Sequence, residues 1–229
     1  MKIVLFACCI ILGINAYEFD DALYNQYLAK DFESLIDDQA LTHRIRRQSE
    51  DPRCRKPQGP PVCCGKEDFL SIDNDLRDLK KQCYKEVTGQ ETFHGKPFDP
   101  FNCDDVEKLK KDLICVKQCV GKKKGCLDAQ GNLVEDVARK FMTEHTTMEW
   151  LKPKLNDMMT KCFAEAKKAT ENMNKSVDDA CNPALTKFEH CMFRETQFAC
   201  PADQIQDQRT CAIVRQFAKH STFLPVVGH

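Results

Sequence analysis

An excess of charge of either sign is missing from this chain. Over 229 residues, 34 lysines and arginines stand against 35 aspartates and glutamates, a formal net charge of −1. Nucleic-acid affinity rests on a basic excess, so that class is not expected. Glycine is scarce, nine in all, which leaves little material for phosphate-cradling loops. Beyond residue 16, no uninterrupted apolar run approaches the roughly 18 residues that cross a bilayer. Alternating valine–isoleucine runs of the strand type are missing. So are a Cys-x-x-Cys pair, a G-x-S-x-G elbow and an H-E-x-x-H zinc motif. With 42% hydrophobic and 30% charged residues, the composition still suits a packed core rather than a disordered chain. What the chain has in abundance is cysteine: 15 residues.

Residues 1–16 decide how those cysteines are read. Lys2 precedes a nearly continuous apolar run from Ile3 to Ile14, and Ala16 is small. This is the pattern of a secretory signal peptide, and it implies an oxidising, extracellular destination in which cysteines form disulfides. Cys8 and Cys9 leave with it, so 13 of the 15 remain. Residues 17–47 hold no cysteine, carry seven acidic against four basic residues and end in Arg44-Ile45-Arg46-Arg47. They are either a propeptide removed at this basic site or an acidic extension ending in an exposed basic turn. Residues 48–229 form the body.

The body reads as helices. Phe69, Ile72, Leu76 and Leu79 recur at helical spacing, as do Val106, Leu109, Leu113 and Val116. Ala138, Phe141 and Met142 form a shorter stretch. A longer one, from Trp150 to Ala169, carries Leu151, Leu155, Met158, Met159, Cys162, Phe163 and Ala166. Asn182-Pro183 opens a helix with Leu185, Phe188 and Met192, and a last one runs from Ile205 to Ala218. Turns are expected at Gly121, Gly125 and Gln130-Gly131-Asn132. The expected class is therefore all-α. Residues 51–64, with four prolines and three cysteines (Cys54, Cys63, Cys64), make an extended arm stapled across the helices. Cys115 and Cys119 sit four apart on one helix face, with Cβ atoms about 5–6 Å apart, beyond the ~3.8 Å a disulfide wants. Each should reach a different element, and the vicinal Cys63 and Cys64 likewise.

The full set of spacings resembles one family. Cys83 is followed after 31 residues by CVKQC (Cys115 to Cys119). Then 42 residues separate Cys119 from Cys162, 18 lead to Cys181, nine to Cys191, and eight to Cys200-Pro201 ahead of Cys211. The series resembles the insect odorant-binding proteins of the plus-C subgroup, over residues 54–211. The resemblance implies a compact bundle of about six helices around an apolar cavity. It also implies core pairs Cys83–Cys119, Cys115–Cys181 and Cys162–Cys191. Cys54, Cys63, Cys64, Cys200 and Cys211 would tie the arm and the C-terminal extension to that core. Thirteen is odd, so one thiol is left over, with Cys103 and Cys126 the candidates, either free or bridging two copies into a homodimer.

Neither zinc nor catalysis is expected. The cysteines lack metal spacing, and CCGKED after Cys63 has no histidine where a secreted phospholipase would hold its base. His145, His190 and His220 have no recognisable nucleophile beside them. The functional material is then apolar: Phe69, Phe141, Met142, Trp150, Met158, Met159, Phe163, Phe188, Met192 and Phe217 would line the ligand site, with Phe193 also facing inward. The expected activity is that of a secreted carrier of small hydrophobic molecules such as odorants or other semiochemicals, in a fluid such as sensillum lymph, needing no cofactor and delivering to a chemosensory receptor. The other reading is a secreted protein-binding or scaffold module whose core is fully packed. The tail Ser221–Val227 is apolar enough to cap a cavity, Asn174-Lys175-Ser176 is one glycosylation sequon, and Lys122 to Lys124 form a solvated basic turn.

Overall fold

The structure, a computed structural model, describes residues 62–64, 74–89, 103–171 and 181–220. It has six α-helices there: α1 (Asn74–Thr88), α2 (Cys103–Lys123), α3 (Glu135–His145), α4 (Lys152–Glu171), α5 (Ala184–Ala199) and α6 (Gln208–His220), with a 3-10 turn at Ala202–Gln204. Among the described residues there is no strand; isolated bridges join Leu127 to Leu133 and Cys64 to Ile205, and Thr146 also takes a bridge position. The described chain is thus all-α, the class expected from the periodicity. The leader, the acidic extension, Cys54, Phe69, the Asn174 sequon and the tail lie outside the described residues, as do the side chains of Cys103 and Phe217.

Among the described residues, five disulfides tie the helices to one another and to the segments beside them. Cys83–Cys119 ties α1 to α2. Cys115–Cys181 ties α2 to the residues just ahead of α5, and Cys162–Cys191 ties α4 to α5. These are the same three pairs that the resemblance implies, and Cys115 and Cys119 take separate partners as their spacing requires. Cys63–Cys211 and Cys64–Cys200 clamp the end of the proline arm to the α5–α6 corner, pairings the sequence left open. There the Cys63 amide donates to Gln197 Oε1 at 2.8 Å.

The helices bury their apolar stripes in three clusters. Leu79, Cys83, Tyr84 and Val87 of α1 meet Leu113, Val116, Cys119 and Val120 of α2. Cys63, Cys64, Ile114, Phe193, Cys200, Cys211 and Val214 form a second cluster at the clamp. The largest lies between α3, α4 and α5. Asn182 pins the last of these helices. Its Oδ1 accepts from the Ala184 amide at 2.9 Å and the Thr170 hydroxyl at 2.9 Å, and its Nδ2 donates to Gln130 O and Asn132 Oδ1, both at 3.4 Å. Its own amide donates to Gln118 Oε1. Pro183, not Asn182, holds the N-cap position, so the helix starts one residue later than expected, but the Asn182 side chain still takes the Ala184 amide and also stitches the α2–α3 hairpin to the start of α5.

Three boundaries differ from the sequence reading. Gly121 is helical rather than a turn: α2 runs on to Lys123, and the reversal is made by Gly125, at φ +73°. Glycine is needed at 121 for close approach. A Cβ there would lie 2.7 Å from Leu127 Cγ and 2.9 Å from Leu185 Cδ2. Lys122 and Lys123 accordingly belong to the last turn of α2, where Lys123 Nζ pairs with Glu86 Oε1 at 2.5 Å. Ile205 is not helical, because it pairs edge to edge with Cys64. The helix starts three residues later, where Asp207 Oδ1 accepts from the Arg209 amide at 3.0 Å and Oδ2 from the Thr210 hydroxyl. Trp150 precedes α4 rather than opening it, because the chain turns through residues 149–151. For Gly121→Ala, alanine gains about 1 kcal/mol of helix propensity, but overpacking two anchored leucines costs about 1–3 kcal/mol. The net expectation is destabilisation by about 1 kcal/mol, seen as a thermal midpoint lower by a few degrees in circular dichroism. An unchanged or higher midpoint would refute the close-approach explanation.

Candidate functional site

The largest cluster is rich in methionine and phenylalanine. α3 contributes Ala138, Phe141 and Met142; α4 contributes Leu155, Met158, Met159, Cys162, Phe163 and Ala166; α5 contributes Ala184, Phe188, Cys191 and Met192. The spacing explains the convergence: each set recurs three and four apart, so each helix turns one stripe to the same interior. The rings of Phe163 and Phe188 stack at 4.7 Å between centroids. The Cys162–Cys191 bridge runs through the middle of the cluster and fixes the α4–α5 spacing on which that stack depends.

Eight of the ten side chains expected to contact a ligand lie here: Phe141, Met142, Trp150, Met158, Met159, Phe163, Phe188 and Met192. Phe69 falls outside the described residues, and so does the side chain of Phe217. Phe193 is buried but faces the clamp cluster on the other side of α5. Phe141 and Trp150 are only partly buried, and Trp150 touches both clusters. The sequence reading missed Met148, Leu133 and the inward role of the connector between α3 and α4. Met148 stands in a non-periodic stretch, where no helical spacing could flag it.

The rim is polar and cationic. Arg139 of α3 donates through Nη1 to Asn156 Oδ1 at 2.7 Å and through Nη2 to the Thr160 hydroxyl at 3.1 Å, and its guanidinium lies 4.8 Å from the centre of the Phe163 ring. Lys154 reaches over Trp150 at 5.9 Å and donates to Ala199 O at 3.0 Å. Behind the cluster, Arg194 is 2% exposed. It pairs with Glu165 at 2.6 Å and Glu195 at 3.2 Å. Burial works against its charge, but the two carboxylates outweigh that and raise its pKa above the ordinary arginine value. Such a fully partnered cation organises the α4–α5 interface and offers no free charge to a ligand.

Two chemically active sets lie elsewhere. Cys83, Glu86 and Cys119 sit within ligating distance of one another. Their sulfurs are bonded to each other, so no thiolate is there to hold a metal. Cys126, one of the two candidates for the single leftover thiol, is free and buried. Burial pushes its pKa up, with Lys124 opposing. As folded it presents no accessible thiolate for bridging a second copy.

A comparison of the chain with protein-family models, with curated proteins and with solved structures finds no match.

Because thiolate, not thiol, is the nucleophile, iodoacetamide at pH 8 should leave Cys126 unmodified in the native protein and alkylate it once guanidinium unfolds the chain. Peptide mass mapping reads the difference. Rapid native labelling would contradict the buried, protonated thiol.

Proposed function

We propose that this protein is a secreted carrier of small hydrophobic molecules, odorants or related semiochemicals, of the plus-C odorant-binding type, and that it acts by binding alone, without catalysis. The observation that carries the reading is the Met- and Phe-rich cluster enclosed by α3, α4 and α5 inside a disulfide frame. Methionine repacks readily around varied apolar shapes, and apolar lining with a polar rim is the usual make-up of a small-molecule site. Burying roughly 300–400 Å² of ligand surface at ~25 cal/mol per Å² corresponds to micromolar affinity before association costs. Five disulfides suit an oxidising compartment. Among the described residues no helix is long and apolar enough to cross a membrane. Delivery to a chemosensory receptor in sensillum lymph would follow from the same reading.

The second reading, a protein-binding or scaffold module, draws on a different observation: Leu151, Cys162 and Met192 are at most 1% exposed, as in a fully packed core. A single experiment separates the two. Trp150 is the one tryptophan in the chain and packs against the cluster. Titration with N-phenylnaphthylamine should give saturable, micromolar binding, quench Trp150 emission by energy transfer and be reversed by long-chain alcohols or esters. A folded protein that takes up no probe at any concentration would exclude the carrier and favour the module.

A further inference from the structure

The disulfides treat the helices unequally. α1, α2, α4, α5 and α6 each hold a bridged cysteine: Cys83, Cys115 with Cys119, Cys162, Cys191 and Cys211. Residues 135–145, the whole of α3, contain none. At 11 residues α3 is also the shortest of the six. Helices of that length are marginal in water without tertiary support. It packs chiefly on α4, and it forms one wall of the Met/Phe cluster through Ala138, Phe141 and Met142.

The chain leaves the helical conformation abruptly at both ends of α3. Val134 and Thr146, the residues flanking it, are extended, and Val134 provides no side-chain cap. The N-terminal flank is tied to the α2–α3 hairpin by the Val134 amide donating to Cys126 O at 2.9 Å. At the other end the Thr146 hydroxyl donates to Met142 O at 2.6 Å. Between these flanks, among the described residues, Arg139 fastens the helix to α4. Arg139 bridges to Asn156 and Thr160 on successive turns of α4 while its guanidinium covers Phe163. It therefore lies across the seam that leads from solvent to the stacked pair Phe163–Phe188. On the flank of α3 away from Arg139, Val137 is exposed and the Phe141 ring is half-buried, stacked on His145 at 4.2 Å. Among the described residues the seam is floored by Phe163 and latched by Arg139.

We infer that α3 is a hinged cover, latched by Arg139, and that apolar ligands reach the Met/Phe cluster by passing beneath it, between α3 and α4. The assignment of a ligand route rests on the carrier reading above; the hinged opening of α3 does not. The frame bridged by sulfur keeps α4 and α5 in place while the one unbridged wall swings, so the site is admitted to solvent without unfolding the molecule. Arg139 is a positioning residue here, acting on the opening equilibrium rather than on the bound molecule.

The test uses the intact, oxidised protein. Hydrogen–deuterium exchange read by mass spectrometry should show amides of α3 exchanging about tenfold or more faster than those of α4 and α5, as expected of a local opening below the global one. Arg139→Gln removes the cation–π contact and the forked hydrogen bonds. It should raise α3 exchange about tenfold further, the factor that corresponds to losing about 1.4 kcal/mol, and leave α4 and α5 unaffected. Stopped-flow mixing with N-phenylnaphthylamine should then show association and dissociation both faster by a similar factor, with the dissociation constant little moved. A general loss of stability would instead raise exchange in every helix and weaken affinity. Exchange in wild-type α3 as slow as in α4 overturns the hinge. Probe binding whose rates ignore Arg139→Gln overturns the route and leaves the carrier reading standing. A wild type that takes up no probe overturns the carrier reading and the route together, and the exchange data then judge the hinge on their own.

Discussion

The sulfur–sulfur bond is the constraint on which the remainder of this fold depends. Helices of 11 to 21 residues with charged outer faces hold little stability of their own. Each native disulfide contributes about 2–5 kcal/mol, largely by restricting the unfolded chain. Set against the 5–15 kcal/mol net stability typical of a whole domain, two or three bridges rival everything else combined. Their placement matters as much as their number. Cys115 and Cys119, on consecutive turns of α2, send that helix's restraint in two directions, to α1 and to the start of α5. The vicinal Cys63 and Cys64 do the same for the arm, spanning 148 and 136 residues to grip Cys211 and Cys200. Through the bridges α5 gains fixed points at its start, along its length and just past its end.

α5 is consequently the axis of the molecule, and its buried polar groups belong to that role. Phe188 and Met192 face the largest cluster, while Phe193 faces the clamp. A helix apolar on two sides has few cues to its rotation. The polar contacts supply them. Asn182 sets where the helix begins, and the pairs Arg194–Glu165 and Glu195–Lys161 set its register against α4. At the far end, Arg215 of α6 donates to Gln197 O at 3.2 Å and Cys200 O at 2.7 Å, and Lys154 to Ala199 O. Two cations thus satisfy carbonyls that the helix leaves open and complement its negative end. A rotation of α5 by one residue would break all of these together, whereas hydrophobic burial alone would change little.

Much of this was legible beforehand, because cysteine spacing and helical periodicity are local signals carried in residue order. The stripes on α4 and α5 placed Met158, Met159, Phe163, Phe188 and Met192 on inward faces, and the structure packs them together. Where reading failed, the missing information was non-local. Gly121 looks like a turn residue until Leu127 and Leu185 are seen pressing on it. Ile205 continues a helical pattern, yet it pairs with Cys64, 141 residues earlier in the chain. Met148 sits in a connector without periodicity, and Arg194 looks like a surface residue because its two carboxylate partners carry no pattern of their own. Which side of α5 Phe193 faces was likewise undetermined by spacing, since both sides are apolar.

Frame and filling have opposite mechanical characters, and that contrast bears on function. The bridged sulfurs cannot shift without breaking a bond. Methionine, with three rotatable bonds and no branching, is the side chain that most readily refills a changed space. Met142, Met148, Met158, Met159 and Met192 all lie in the one cluster, five of the seven methionines in the chain. A core selected only for rigidity would favour branched side chains with few rotamers, which specify a single packing. Adaptable side chains confined within an unyielding cage instead give an interior whose outer dimensions are fixed while its inner surface is free to rearrange. A guest of varied shape would then be met by side-chain repacking, with the helix axes of α4 and α5 left where the Cys162–Cys191 bridge holds them.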